Sequence, residues 1–384
     1  MSFCGGLIVP ILPLLALSFE VSYGMTGLVL AAPGIGTLIS DMPVGTLVRR
    51  IGYRKGMVAG AIVMFVASLA VFSATSIVEI FIYRLFTGVG LTLWTISRQT
   101  YLYEAIGQTQ LGRASALMGG VHRLTGFVAP ALGGLMGEAL GLRSPFLLYA
   151  FLSLVSLAIA FVFVPRPDIE SRSVQNERSG RFIDHLKANW RIVLRGGPGY
   201  AVGQLTRSSR NVIIPLFAAE VLGLSPLSIG IVTSLSFGTD LLMVYPAGVI
   251  MDRFGRKFAY VPSFFLQGLA LSLIPFTTGF TELLVVAMGL GFANGIGAGT
   301  MLALAGDLAP KKGRGDFLGL WRFVGDAGGA SAPLIMGRVG DIAGLGASAF
   351  AAGISGVLAA VLLGFLIPET LVKPPKAGEP ASES

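Results

Sequence analysis

The chain has 384 residues, of which 53% are hydrophobic and only 12% charged, about half the charged share of an ordinary soluble domain. Its single cysteine, Cys4, excludes an internal disulfide, and its two histidines, His122 and His185, show no metal-ligand spacing. Uncharged apolar windows at 56–74, 144–164, 258–279 and 343–368 are long enough to cross a bilayer, so the chain reads as a membrane protein.

In chain order the apolar stretches predict twelve spans, at 2–17, 27–48, 56–74, 78–103, 112–138, 144–164, 197–220, 226–250, 258–279, 281–306, 315–337 and 343–367. The expected fold is an all-α integral membrane protein: twelve transmembrane helices in two six-helix halves around a central cavity. Its divisions are an N-terminal half over 1–164, a cytoplasmic linker over 165–196, a C-terminal half over 197–367 and a disordered cytoplasmic tail over 368–384. The first span supplies fewer than the roughly 20 residues a crossing needs. No Lys or Arg precedes Arg49, so no positive n-region marks a signal peptide. The first helix therefore reads as truncated, with the start placed inside it.

The loops alternate in charge. Arg49, Arg50, Arg54, Lys55, Arg113, the basic segment 166–195, Arg253, Arg256, Lys257, Lys311, Lys312, Arg314, Lys373 and Lys376 fall on one side, and only Arg143 and Arg338 on the other. Positive charge stays inside, which puts the first set and the C-terminus in the cytoplasm; the membrane expected is the plasma or inner membrane. The net charge of +8 is then topological and touches anionic lipid; nucleic acid is not needed to explain it. In the linker, Phe182, Leu186, Trp190 and Val193 form one helical stripe among basic residues, the pattern of an interfacial helix.

"SDMPVGTLVRRIGYRK" returns 203 residues later as "MVYPAGVIMDRFGRKF". Pro43 matches Pro246, Gly45 matches Gly248, Arg50 matches Arg253, Gly52 matches Gly255, and Glu104 matches Asp307. Two related six-helix halves are typical of secondary transporters, which bind substrate between them near mid-membrane.

These residues resemble the major facilitator superfamily. Gly248, Asp252, Arg253, Gly255, Arg256 and Lys257 match its signature cytoplasmic loop at every position, and Arg84, Gly88 and Gly90 match its fourth-helix signature. The resemblance implies that Asp252 latches neighbouring helix ends when the cytoplasmic side closes, and that Arg84 modulates proton coupling. The first copy departs from the pattern: Arg49 stands in the Asp position and Tyr53 replaces a basic residue. Either Glu104 supplies a carboxylate to Arg50 or Arg54, or this half lacks its latch. Pro130, Gly133 and Gly134 fit an exporter-associated motif, whereas Thr125 and Ala129 replace its glycines. A kinked, closely packed helix accounts for the same residues.

Charges inside the spans are Asp41, Arg84, Arg98, Arg123, Arg207, Arg210, Asp240, Arg322 and Asp326. Each is costly in lipid and needs a partner or water. Arg322 and Asp326, four apart, read as an ion pair or as part of the substrate site. Arg98 reads as reaching to the membrane surface, and Asp41 as pairing with a loop cation. His122 is either titratable near neutral pH or simply hydrogen-bonded in place. Arg207 and Arg210 share a face of the seventh span with no acid before Glu220. With Arg84, Arg123 and Asp240 they point to an anionic or zwitterionic substrate, since guanidinium pairs bidentately with carboxylate and phosphate; a salt-bridge network is the competing account.

The function expected is alternating-access transport of a small organic solute, as a proton-coupled efflux carrier acting as a monomer, with no cofactor. An importer or exchanger of an organic anion fits the same fold, and a receptor or channel is the alternative of another class. No zinc, nucleophile-elbow or phosphate-loop motif suggests an enzyme.

Overall fold

The computed structural model describes residues 1–105, 108–165, 182–310 and 314–370. The side chain of Arg113, Lys311, Lys312, the linker before 182, the side chains of the Phe182–Val193 stripe and the tail from 371, with Lys373 and Lys376, lie outside the described residues.

Among those residues every regular element is helical, as lipid requires, because a helix satisfies its own backbone hydrogen bonds. The first half contains α1 (Ser2–Ile8), α2 (Ile11–Leu17), α3 (Tyr23–Ile51), α4 (Tyr53–Ser73), α5 (Ile77–Ala105), α6 (Gln108–Leu140) and α7 (Ser144–Phe163). The second contains α8 (Phe182–Glu220), α9 (Pro226–Leu242), α10 (Val244–Arg253), α11 (Lys257–Leu273), α12 (Phe280–Ile296), α13 (Thr300–Leu308) and α14 (Arg314–Leu366). Breaks, not extra crossings, account for the surplus over twelve. Pro10 separates α1 from α2 in one pass, and Met243 and Gly297–Gly299 interrupt two others. Conversely, α14 is two passes joined at Gly344. The interfacial stripe predicted in the linker falls on the start of α8, which runs unbroken into the seventh pass.

The repeat is visible in the turns. Gly52 and Gly255, equivalent by sequence, both take positive φ (+87° and +118°), a region where a side chain is strained. Each half buries its own core: Leu7, Met64, Ile80 and Phe146 in the first, and Ile213, Phe264, Leu271 and Leu363 in the second. The fourth-helix signature serves this packing, since a Cβ at Gly88 would collide with the Pro33 carbonyl and one at Gly90 with Met64 and the Gly60 carbonyl.

The halves meet along two seams, α3 against the first pass of α14 and α6 against α9. At one end, the end of Tyr23 and Leu140, both seams are closed tightly enough that glycine faces backbone. At the other end, Ile39 and Met42 of α3 and Leu242 and Tyr245 beside the α9–α10 break are exposed. Added Cβ atoms at Gly45 and Gly248 would touch nothing there. The molecule is closed at the first end and splayed at the second.

Candidate functional site

Between the splayed halves lies a cavity of about 620 Å³, walled by α1, α5, α6 and α7 on one side and by α8, α9 and α12 on the other. Its apolar lining includes Trp94, Tyr149 and Phe237, and its polar groups include Arg98, His122, Arg123, Arg210, Asn211, Asp240 and Asn294. An apolar chamber with a few convergent polar groups is the usual form of a small-molecule site.

Arg123 of α6 donates from Nη1 to Asp240 Oδ1 of α9 at 3.1 Å, so an ion pair joins the two halves. Asn294 of α12 donates from Nδ2 to the other carboxylate oxygen at 3.0 Å. Asp240 is thus engaged on both oxygens. Arg210 has no such partner: its guanidinium lies 4.0 Å from the Phe237 ring centroid, and its Nη1 is buried without a hydrogen bond. Buried Arg98 Nε, Asn211 Oδ1 and Asn294 Oδ1 are likewise unpaired among the described residues. Counting side chains, three guanidinium groups against one carboxylate leave the cavity wall with a surplus of two formal positive charges.

The structure separates residues that the sequence groups together. Arg207 turns away from the cavity, donating from Nη2 to the Gly297 carbonyl at 3.1 Å and stacking over Phe264 at 5.0 Å. Arg84 lines a smaller recess of about 200 Å³ with Ser208 and Asn211, nearer the closed end. Arg322 and Asp326 form their i,i+4 ion pair at 3.3 Å on α14, outside the main cavity. Asp41 is within electrostatic reach of that pair. Arg98, expected at the membrane surface, lines the cavity instead, as does His122. Asn211 and Asn294 were missed altogether; the signal available was an amide isolated in an apolar helix. A further concavity of about 490 Å³ between α11 and α14 is lined by apolar residues such as Phe258, Phe265 and Phe365, on the surface a membrane would cover.

At the splayed end, the signature loop is wired within the second half. Arg256 binds Asp252 at 3.1 Å and Asp307 at 3.3 Å. Thr370 donates to Asp307 at 2.8 Å, and Glu369 accepts from the backbone N–H groups of Arg256 and Lys257 at 2.9 and 3.0 Å. Asp252 is otherwise free in solvent, its side chain 77% exposed. In the first half Arg49 turns to Thr46 at 3.1 Å, and Arg54 donates to the Phe161 carbonyl and stacks on its ring. Arg50 and Glu104 are exposed, and Glu104 forms no ion pair with the described residues.

The fold and this central chamber define a multi-pass membrane transporter. The family model of the Major Facilitator Superfamily matches residues 1–199 and again 196–383, and the chain belongs to that family. It is 24% identical over 288 residues to the synaptic vesicular amine transporter of Mus musculus, covering 73% of this chain and 54% of that protein. The chain thus spans about half the length of that relative. An uncharacterised MFS-type transporter of Methanocaldococcus jannaschii is 18% identical over 347 residues, with 88% of each chain covered. Among solved structures, a D-xylose–proton symporter superimposes with a TM-score of 0.76 at 18% identity, over 96% of this chain and 97% of that one. A POT family transporter in complex with 5-aminolevulinic acid gives 0.74 at 12% identity, over 94% and 92%. At such identities the structures speak for the fold alone.

Proposed function

We propose that this protein exports a small anionic or zwitterionic organic compound by alternating access, in exchange for protons, across the plasma or inner membrane. The carrying observation is the cavity wall, where Arg98, Arg123 and Arg210 surround the single carboxylate of Asp240. A substrate carboxylate or phosphate would satisfy the unpaired Nη1 of Arg210. Asp240, bridging the halves, is the group suited to carry the proton. The charge of the basic loops supports a cytoplasmic splayed end; on this reading the conformation described is open inward and the C-terminus is cytoplasmic. Export is favoured by the helix of Pro130, Gly133 and Gly134, whose glycines seat α6 against α1 and α9 at the closed end.

One observation favours a second reading, export of cationic amines: the identity with a vesicular amine transporter. The surplus of guanidinium groups weighs against it, because a cation would meet only a carboxylate that is already paired. Everted vesicles with a respiration-driven pH gradient and a pH-sensitive dye separate the two. Anionic or zwitterionic compounds should collapse the gradient, and Arg210→Gln should abolish the response. Collapse by lipophilic amines, retained in Arg210→Gln and absent from vesicles that lack the protein, would establish the second reading instead.

A further inference from the structure

The offset of 203 residues that relates the two signature loops also relates contacts at the opposite end of the molecule. Ser22 and Ser225, 203 apart, are the N-caps of α3 and α9; their hydroxyls accept from the N–H groups of Met25 at 3.2 Å and Ser228 at 3.3 Å. The next orphan amide of each helix is satisfied from the other half. Gly24 N–H donates to Asp341 Oδ2 at 3.0 Å, and Leu227 N–H donates to Glu138 Oε2 at 3.0 Å. Glu138 and Asp341 are themselves 203 apart, at the ends of equivalent helices. The glycines beneath them repeat in the same way. A Cβ at Gly27 would meet the Pro333 carbonyl and one at Gly230 the Pro130 carbonyl, while Gly134 faces Pro226 and Gly337 faces Tyr23.

We infer that Glu138 and Asp341 are a paired gate, each half closing the other by placing a carboxylate on the N-terminus of its partner's helix. Both carboxylates cross the interface, both meet the positive end of a helix dipole, and neither can keep its bond if this end opens. The gate is therefore present in the conformation described and lost in the opposite one. Its two members break together, because the repeat makes one rotation of the halves withdraw both. The gate residues hold the closed end without touching the cavity. This inference rests on alternating access, and adds to it the residues that set the balance between the two states.

The test uses the full chain in lipid nanodiscs, in a Cys4→Ala background, with spin labels at Leu140 and Val221 across the gated end. Both positions are exposed and belong to different halves. A second pair at Met42 and Leu242 reports the splayed end. Glu138→Gln with Asp341→Asn should raise the ratio of open to closed distances at 140–221 by about three- to thirty-fold, with the 42–242 distance shortening in step. Each single variant should give about the square root of that change. Ser22→Ala, set against Asp341→Asn, weakens the same end of α3 without crossing the interface and should leave the ratio unchanged; Ser225 is kept because its hydroxyl also bonds Glu138 across the interface. An equal shift in the serine variant would reduce the effect to local fraying and overturn the gate. A wild-type protein that samples both states at a ratio the carboxylate variants do not alter overturns the gate and leaves alternating access standing. If neither wild type nor variant ever opens at 140–221, both fall.

Discussion

Around Tyr23 the interface keeps both copies of its glycine and carboxylate contacts, whereas around Asp252 the ion pairs found among the described residues are in the second half alone. At the closed end, Gly27 and Gly230, Gly134 and Gly337, and Glu138 and Asp341 make equivalent contacts in pairs. At the splayed end the offset pairs Asp252 with Arg49, Arg256 with Tyr53, Glu369 with Arg166 and Thr370 with Pro167; only Asp307 finds a like residue, Glu104. The contacts explain the difference. At the closed end each half supplies what the other lacks, so losing either copy unbalances the closure. At the splayed end the charges of the second half bind one another, and the first half's copy could drift without disturbing them. Between the two ends stands the Arg123–Asp240 bridge. Among the described residues no side-chain hydrogen bond crosses between the halves on its splayed side.

The bridge is the first place to break the comparison. Asp240→Asn leaves the Arg123 guanidinium without its counter-charge, a loss of about 3 kcal/mol, toward the low end of such effects because Arg123 is 26% exposed. Thermal unfolding in detergent should show it, and Arg123→Gln in the same chain should restore part of the loss; simple additivity would mean that the pair contributes nothing jointly. Next come the glycines. Gly27→Ala and Gly230→Ala each force a methyl group into a carbonyl oxygen of the opposite half, at about 1–3 kcal/mol. Both should shift the 140–221 distance toward open, and by similar amounts. Gly45→Ala and Gly248→Ala, with open space around them, should leave that closed end unaffected. A large inequality between Gly27 and Gly230 would show that the pseudo-symmetry is geometric and not energetic.

Much of this was legible in the sequence, for reasons that also define where reading stopped. The twelve passes followed from apolar length. The two halves followed from Pro43 with Pro246 and Gly52 with Gly255, because turns and helix crossings preserve glycine and proline in register. The gate carboxylates escaped notice, although Glu138 and Asp341 obey the same offset, because a lone acid at a helix end looks like solvation. Arg207 and Arg210 show the limit more sharply. Three residues apart, they share a helix face by periodicity, yet about 60° of rotation separates them, enough to turn Arg207 onto Phe264 and leave Arg210 in the cavity. Arg98 and His122 were undervalued because depth along a helix does not reveal which side faces the chamber.

A smaller effect belongs to Glu369, which caps α11 through the N–H groups of Arg256 and Lys257. Glu369→Gln should cost about 0.5–1 kcal/mol, seen as faster hydrogen exchange confined to the first turn of α11. The corresponding first turn of α4, whose offset partner for Glu369 is Arg166, should exchange equally in both proteins. Acceleration at both turns would mean that the residue stabilises the whole end and not one cap.

The smallest effect sharpens the comparison by construction. Arg49→Asp with Tyr53→Arg rebuilds in the first half the acid and base that the second half holds at Asp252 and Arg256. An exposed i,i+4 pair contributes only about 0.3–0.5 kcal/mol, so overall stability should barely move. The informative readout is the 42–242 distance. If the splayed end closes by carboxylates reaching helix ends across the interface, a restored acid at position 49 gives it a second contact, and the closed fraction should rise about two-fold. If the fraction stays constant, Asp252 alone suffices, and the divergence of the first loop has cost the closing step nothing.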